Sequence, residues 1–140
     1  MRPSLGTTLS TRACGGRAPE AVWTAYTTPT LWSSWSPQVR GVCCAQPDVP
    51  VRAGTRGDVL GPAGVRVPFE VTDVDLARQR WTWRVRVGTV VLEMTHGVTP
   101  RADGRCCAWA RLSGPLPLVA GYLPLARLAL GRLVGRREPA

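Results

Sequence analysis

The sequence predicts an α+β fold: a curved antiparallel sheet of about seven strands around a long C-terminal helix, with two short helices after the first strand. Three observations carry this prediction. From 80 to 96 the side chains alternate. Trp81, Trp83, Val85 and Val87 fall on one face and Arg80, Thr82, Arg84 and Arg86 on the other, and Val90, Leu92, Met94 and His96 repeat the pattern. After Gly114-Pro115 the period changes, and Leu116 to Val134 reads as a helix. A period of two marks a half-buried strand and one near 3.6 a helix. Near the N-terminus, Pro19-Glu20 followed by Val22, Trp23 and Tyr26 gives the first short helix: proline suits the first turn, and a carboxylate there complements the helix dipole.

The remaining elements follow in order. Leu5 to Ala13 is a Thr-rich first strand, and Gly15-Gly16 breaks the chain before the helix. Leu31, Trp32 and Trp35 form a second short helix that ends before Pro37. Gln38 to Ala45 and Gly57 to Leu60 are strands, and Gly61 to Gly64 is a hairpin turn. Val65, Val67, Phe69 and Val71 alternate with Arg66, Pro68, Glu70 and Thr72, and Asp73 to Gln79 reads as a turn whose aspartates satisfy backbone donors. Thr89 to Thr99 is a strand, Asp103-Gly104 a turn, and Arg105 to Leu112 the last strand. On the terminal helix, Leu116, Val119, Tyr122, Leu123, Ala126, Leu130, Leu133 and Val134 gather in an arc of about 120°, the width of a core-facing stripe. Leu125 and Leu128 lie outside that arc.

The 140 residues, 44% of them hydrophobic and 19% charged, are consistent with one domain, 1–140, with its core over about 5–137. All 18 basic residues are arginine, and the net charge is +9. They are scattered from Arg2 to Arg137, which argues against a nucleic-acid surface. Coding bias in a GC-rich genome accounts for the excess. The alternative is binding to an anionic surface through Arg80, Arg84 and Arg86, with peripheral membrane contact. The five cysteines include the adjacent pairs Cys43-Cys44 and Cys106-Cys107 but no C-x-x-C, so no metal site is expected. They read as small buried hydrophobes of a reducing compartment, since a bond between neighbours would be strained. Met1 to Arg17 holds no apolar run of signal-peptide length, and the expected location is cytoplasmic. The terminal helix carries Arg127 and Arg132, each costing about 2.5–3.5 kcal/mol at a bilayer centre, and so reads as amphipathic, not spanning.

Taken together, several motifs resemble one family. They are Ala18-Pro19-Glu20-Ala21-Val22-Trp23, Leu31-Trp32, Trp35-Ser36-Pro37, Phe69-Glu70-Val71, Arg80-Trp81-Thr82-Trp83, His96-Gly97-Val98-Thr99-Pro100 and Gly114-Pro115. Their order is similar to that of the polyketide cyclase/dehydrase and lipid-transport family (SRPBCC), within the START-like, Bet v 1-like superfamily. The resemblance implies a helix-grip fold with a cavity for lipids, sterols or polyketides. Some members are cyclases or aromatases, so family membership sets the fold more firmly than the chemistry. The first strand departs from the pattern by its threonines, and weak edge pairing is expected there.

The function expected from the residues and the resemblance together is binding of a lipid-like or polyketide-like molecule between sheet and helix. The expected lining is Trp32, Phe69, Trp81, Trp83, Leu92, Met94, His96, Tyr122 and Ala126, with His96 and Tyr122 as the polar groups. The alternative is a cyclase or dehydratase in the same cavity, with His96 or Tyr122 moving a proton. Against it, Glu93, the nearest carboxylate to His96 in sequence, falls on the opposite strand face. No nucleophile–base set and no phosphate-binding glycine loop occurs, and no cofactor is expected. The sequence does not address the oligomeric state.

Overall fold

The computed structural model describes residues 6–135. Strand β1 (Thr7–Gly15) is followed by helix α1 (Pro19–Thr27), a 3₁₀ turn (Pro29–Leu31) and the single-turn helix α2 (Trp32–Trp35). Strands β2 (Gly41–Cys44), β3 (Arg56–Leu60), β4 (Arg66–Asp75), β5 (Arg80–Val87), β6 (Val90–Pro100) and β7 (Cys106–Gly114) come next, and α3 (Leu116–Leu133) ends the fold. The seven strands form one antiparallel sheet in the order β1-β7-β6-β5-β4-β3-β2.

The alternation on β5 and β6 becomes cross-strand rows. Trp81 pairs with His96 and Trp83 with Met94, and across β6 and β7 His96 meets Ala110 and Met94 meets Leu112. These rows form the inner face, and nearly all their members are buried. The outer face carries Thr82 opposite Thr95, their hydroxyls 3.0 Å apart, and Arg84 opposite Glu93.

Two expectations about the strands change. β4 runs on to Asp75, where a turn was expected from Asp73, because a bulge between Val71 and Asp73 absorbs one residue. The bulge resets the parity, so Val71 and Val74 both reach the core, opposite Trp83 and Trp81. Asp75 does serve the turn: its carboxylate accepts the backbone N–H of Arg78 at 3.1 Å. β1 is not weakly paired, for its register with β7 is unbroken from Thr7↔Gly114 to Gly15↔Cys106.

The cysteines also depart from expectation. Cys14 and Cys107 face each other across β1 and β7 and are joined as a disulfide. Cys43 is exposed and Cys44 partly so, leaving Cys106 as the one buried free thiol. A bond between register partners on adjacent strands was invisible while the cysteines were compared only with their sequence neighbours.

α3 lies across the inner face. Val119, Ala126, Leu130, Leu133 and Val134 are buried as expected, together with Ala129. Leu116 is not in the core; it is 52% exposed. The first turn starts directly after β7, where Leu92 and Val119 already fill the space over Gly114. At the other end, Arg17 donates its backbone N–H to the Val134 carbonyl and its guanidinium to that of Leu133, both at 3.1 Å. A cation there meets the negative end of the helix dipole and fixes the helix to the loop after β1.

Candidate ligand-binding cavity

The parity of β5 and β6 aims Trp81, Trp83, Leu92, Met94 and His96 at the concave side of the sheet. α3 lays Tyr122, Leu125 and Ala126 over them, and the short helices bring Tyr26, Trp32 and Trp35 to one end. A cavity of about 320 Å³ lies between these elements.

The aromatic wall is continuous. Trp81 stacks between His96 (ring centroids 4.1 Å apart) and Trp32 (5.8 Å). Trp83 meets Trp32 edge-on at 5.2 Å, and Tyr26 is edge-on to Trp35, Trp81 and His96. Edge-to-face and offset stacks suit the ring quadrupoles and make the wall stiff.

Hydrogen bonding divides this wall into two sets. The Trp32 and Trp35 N–H groups donate to the carbonyls of Tyr26 and Ala25, both at 3.0 Å, and the Tyr26 hydroxyl donates to the Trp109 carbonyl at 2.8 Å. These three fix the short helices. In contrast, the Trp81 and Trp83 Nε1 groups, His96 Nδ1 and Gln38 Oε1 are buried without a partner. Buried polar atoms are ordinarily paired, so unpaired ones along a cavity indicate where a ligand or water completes them.

Burial fixes protonation. The pKa of His96 is pushed from 6.5 down to about 3 by burial, against a weaker opposing pull from the Trp81 backbone. Imidazole is therefore neutral here at physiological pH. Tyr26 is held well above the usual phenol range by burial, and Tyr122 is raised by burial against a hydrogen bond from Gln38 Nε2 at 2.5 Å. Because that bond uses a lone pair of the Tyr122 oxygen, its proton remains to donate. No charged side chain lines the cavity among the described residues.

Eight of the nine expected residues line the cavity: Trp32, Trp81, Trp83, Leu92, Met94, His96, Tyr122 and Ala126. Phe69 does not. It is buried, but it packs against the rings of Trp32 and Trp83, which cover it. Sequence reasoning missed Tyr26, Trp35, Gln38 and Leu125. The helical spacing of Tyr26 and Trp35 said only that they were inward, and Gln38 was expected in a strand that instead begins at Gly41, which leaves it in an irregular segment. Among the expected outward arginines, Arg80 and Arg84 are engaged with Asp75 and Glu93, while Glu70 pairs with Arg56. No cluster of His, Cys, Asp or Glu able to hold a metal occurs among the described residues.

Comparison with known proteins agrees with this architecture. Norcoclaurine synthase from Thalictrum flavum, a point mutant in complex with a transition-state analogue, superposes with a TM-score of 0.69 at 15% identity, covering 96% of this chain and 95% of that one. The same enzyme in complex with dopamine and hydroxybenzaldehyde gives 0.68 at 17% identity, covering 97% and 90%. The hypothetical protein jhp0584 from Helicobacter pylori gives 0.76 at 15% identity, covering 94% and 88%. At these identities the likeness is one of fold. A search of curated proteins found no match. The family profile described as polyketide cyclase / dehydrase and lipid transport matches residues 15–136. With nearly the whole chain matched and the sheet closed over α3 in this way, the chain belongs to the polyketide cyclase/dehydrase and lipid-transport family.

Proposed function

We propose that this protein binds a neutral, largely apolar small molecule, lipid-like or polyketide-like, in the cavity between sheet and α3. The observation that carries this is the composition of the lining: aromatic and aliphatic walls, no charge, and a few buried polar atoms left unpaired. Apolar pockets with a few placed polar groups are the usual ligand sites. Trp83 Nε1 and the Tyr122 hydroxyl are donors, which suits a carbonyl or ether oxygen on the ligand. Gln38 Oε1 is an acceptor, which suits a hydroxyl. A carboxylate or an ammonium ion would lose its hydration with no counter-charge to replace it.

Titration with N-phenyl-1-naphthylamine, a neutral apolar fluorophore, tests this reading. Energy transfer from Trp81 and Trp83 should quench tryptophan emission saturably. Ala126→Phe fills the cavity from α3 and should weaken the probe at least about tenfold, or 1.4 kcal/mol. Unchanged emission at saturating probe would reject the cavity as a binding site.

A second reading is supported by His96 and Tyr122. His96 with a free Nδ1 and the neutral phenol of Tyr122 both line the cavity, the pair that proton transfer in a cyclase or dehydratase acting on a poly-β-ketone chain requires, although the depressed pKa makes His96 a weak base. His96→Gln separates the readings. An orienting role leaves affinity within about tenfold. A proton-transfer role costs about 10²–10⁴-fold in turnover with binding retained. The first outcome is expected. Cys43, Cys44 and Cys106 remain free, which supports a reducing, cytoplasmic compartment, whereas the Cys14–Cys107 bond runs against it.

A further inference from the structure

Val65 and Val87 line the cavity and are also 54% and 40% exposed, so they mark where it reaches solvent. Strand register brings several segments to this same end. Val67 and Val85 flank the turns, and β7 runs out beside the start of β6, so the first turn of α3 arrives there with Leu116 and Leu118 exposed. Gln38, bonded to Tyr122, places Arg40 at this end as well, its backbone N–H donating to the Leu60 carbonyl at 2.7 Å. The cavity mouth is thus rimmed by exposed aliphatic side chains from three elements.

The charge around the rim is one-sided. Residues 31–42, 59–69, 85–92 and 114–135 contain no Asp or Glu. Arg40 and Arg86 stand at this end with no ion pair among the described residues, while the nearest carboxylates, Asp58 and Glu93, are engaged by Arg66 and Arg84. α3 itself has a mean hydropathy of 1.2, yet only a third of it is buried. Its apolar residues therefore serve more than the core. Exposed aliphatic groups beside unopposed arginines suit an interface that is apolar within and anionic at its surface. A protein surface would present both signs of charge and would meet aromatic anchors, whereas here the tryptophans lining the cavity face inward.

We infer that the rim of the cavity mouth docks on an anionic phospholipid bilayer, with Val65, Val87, Leu116 and Leu118 entering the headgroup region and Arg40 and Arg86 meeting the phosphates. An apolar ligand then passes between bilayer and cavity without crossing water. This extends the cavity reading, and the two fail separately: probe uptake in free solution tests the cavity, and vesicle capture tests the rim.

The experiment is co-sedimentation of the full chain with vesicles of phosphatidylcholine alone or of equimolar phosphatidylcholine and phosphatidylglycerol. Capture is expected on the mixed vesicles and should weaken with salt. Leu116→Asp with Leu118→Asp should weaken it at least about tenfold, since the insertion term is lost, and Arg40→Gln with Arg86→Gln should remove most of the preference for the mixed vesicles. Leu116 and Leu118 do not line the cavity, so the first variant should still take up the naphthylamine probe, which also reports that it folds. Leu76→Asp, at a still more exposed leucine of the opposite β4–β5 turn, should leave capture unchanged. Absence of capture on the mixed vesicles would overturn the inference. So would capture indifferent to the rim variants, which would mean attraction by the net charge alone, or equal loss with Leu76→Asp.

Discussion

His96 carries the pH sensitivity of the fold. Its pKa is about 3 in the folded protein against 6.5 for the free side chain. The unfolded chain thus binds a proton below pH 6.5 that the folded chain refuses until near pH 3. Its contribution is complete above pH 6.5 and is lost as pH falls toward 3, by on the order of 5 kcal/mol in all. Denaturant melts across that range should show a slope that His96→Gln flattens, because Gln does not titrate. Gly97 is a second single-residue control point. The indole of Trp109 lies directly over its Cα, where a Cβ would overlap it, and Arg111 covers the indole from 5.6 Å. Gly97→Ala must displace Trp109, whose carbonyl accepts from Tyr26, and should cost about 1–3 kcal/mol in chemical denaturation.

At the scale of elements, the edge strand β1 and the helix α3 depend on long-range ties. The Cys14–Cys107 bond spans 93 residues of chain and removes loop freedom from the unfolded state. Cys14→Ser should lower stability by about 2–4 kcal/mol. Alkylation in denaturant without reductant should label three thiols, with Cys43 reacting first in the native protein because it is exposed. α3 is held by its buried stripe, and Leu130→Ala should cost about 2–5 kcal/mol in equilibrium unfolding. Removal of everything after Pro115 would bare the inner face of the sheet and should yield molten or insoluble protein by near-UV dichroism.

For the molecule as a whole, the exposed ion pairs do little. The six among the described residues lie on the surface at 3.3–4.0 Å, where each is worth about 0–1 kcal/mol and is screened by salt. Stability comes from the core that the sheet and α3 share, so the thermal midpoint should move little with salt. Added ligand should move it upward, by about 2.7 kcal/mol of stabilisation at a hundred times the dissociation constant. A midpoint indifferent to a ligand that quenches tryptophan would place the quenching outside the folded cavity.

The sequence by itself determined the succession of elements along the chain, the inward parity of Trp81, Trp83, Leu92, Met94 and His96, and the helix that covers them. Each follows from a local period of two or 3.6, which a single segment displays. It also carried enough motif order to indicate the family. Only the tertiary structure decided the rest, because the rest depends on residues far apart in the chain. The bulge at Val71 and Asp73 broke the period that had made β4 legible. Cys14 became the partner of Cys107 through strand register, not through sequence spacing. Phe69 left the cavity wall because two indoles from other elements cover it, and Gln38 joined it through Tyr122. The neutrality of His96 is likewise a property of the packed site, since burial, and not any neighbour in sequence, sets its pKa.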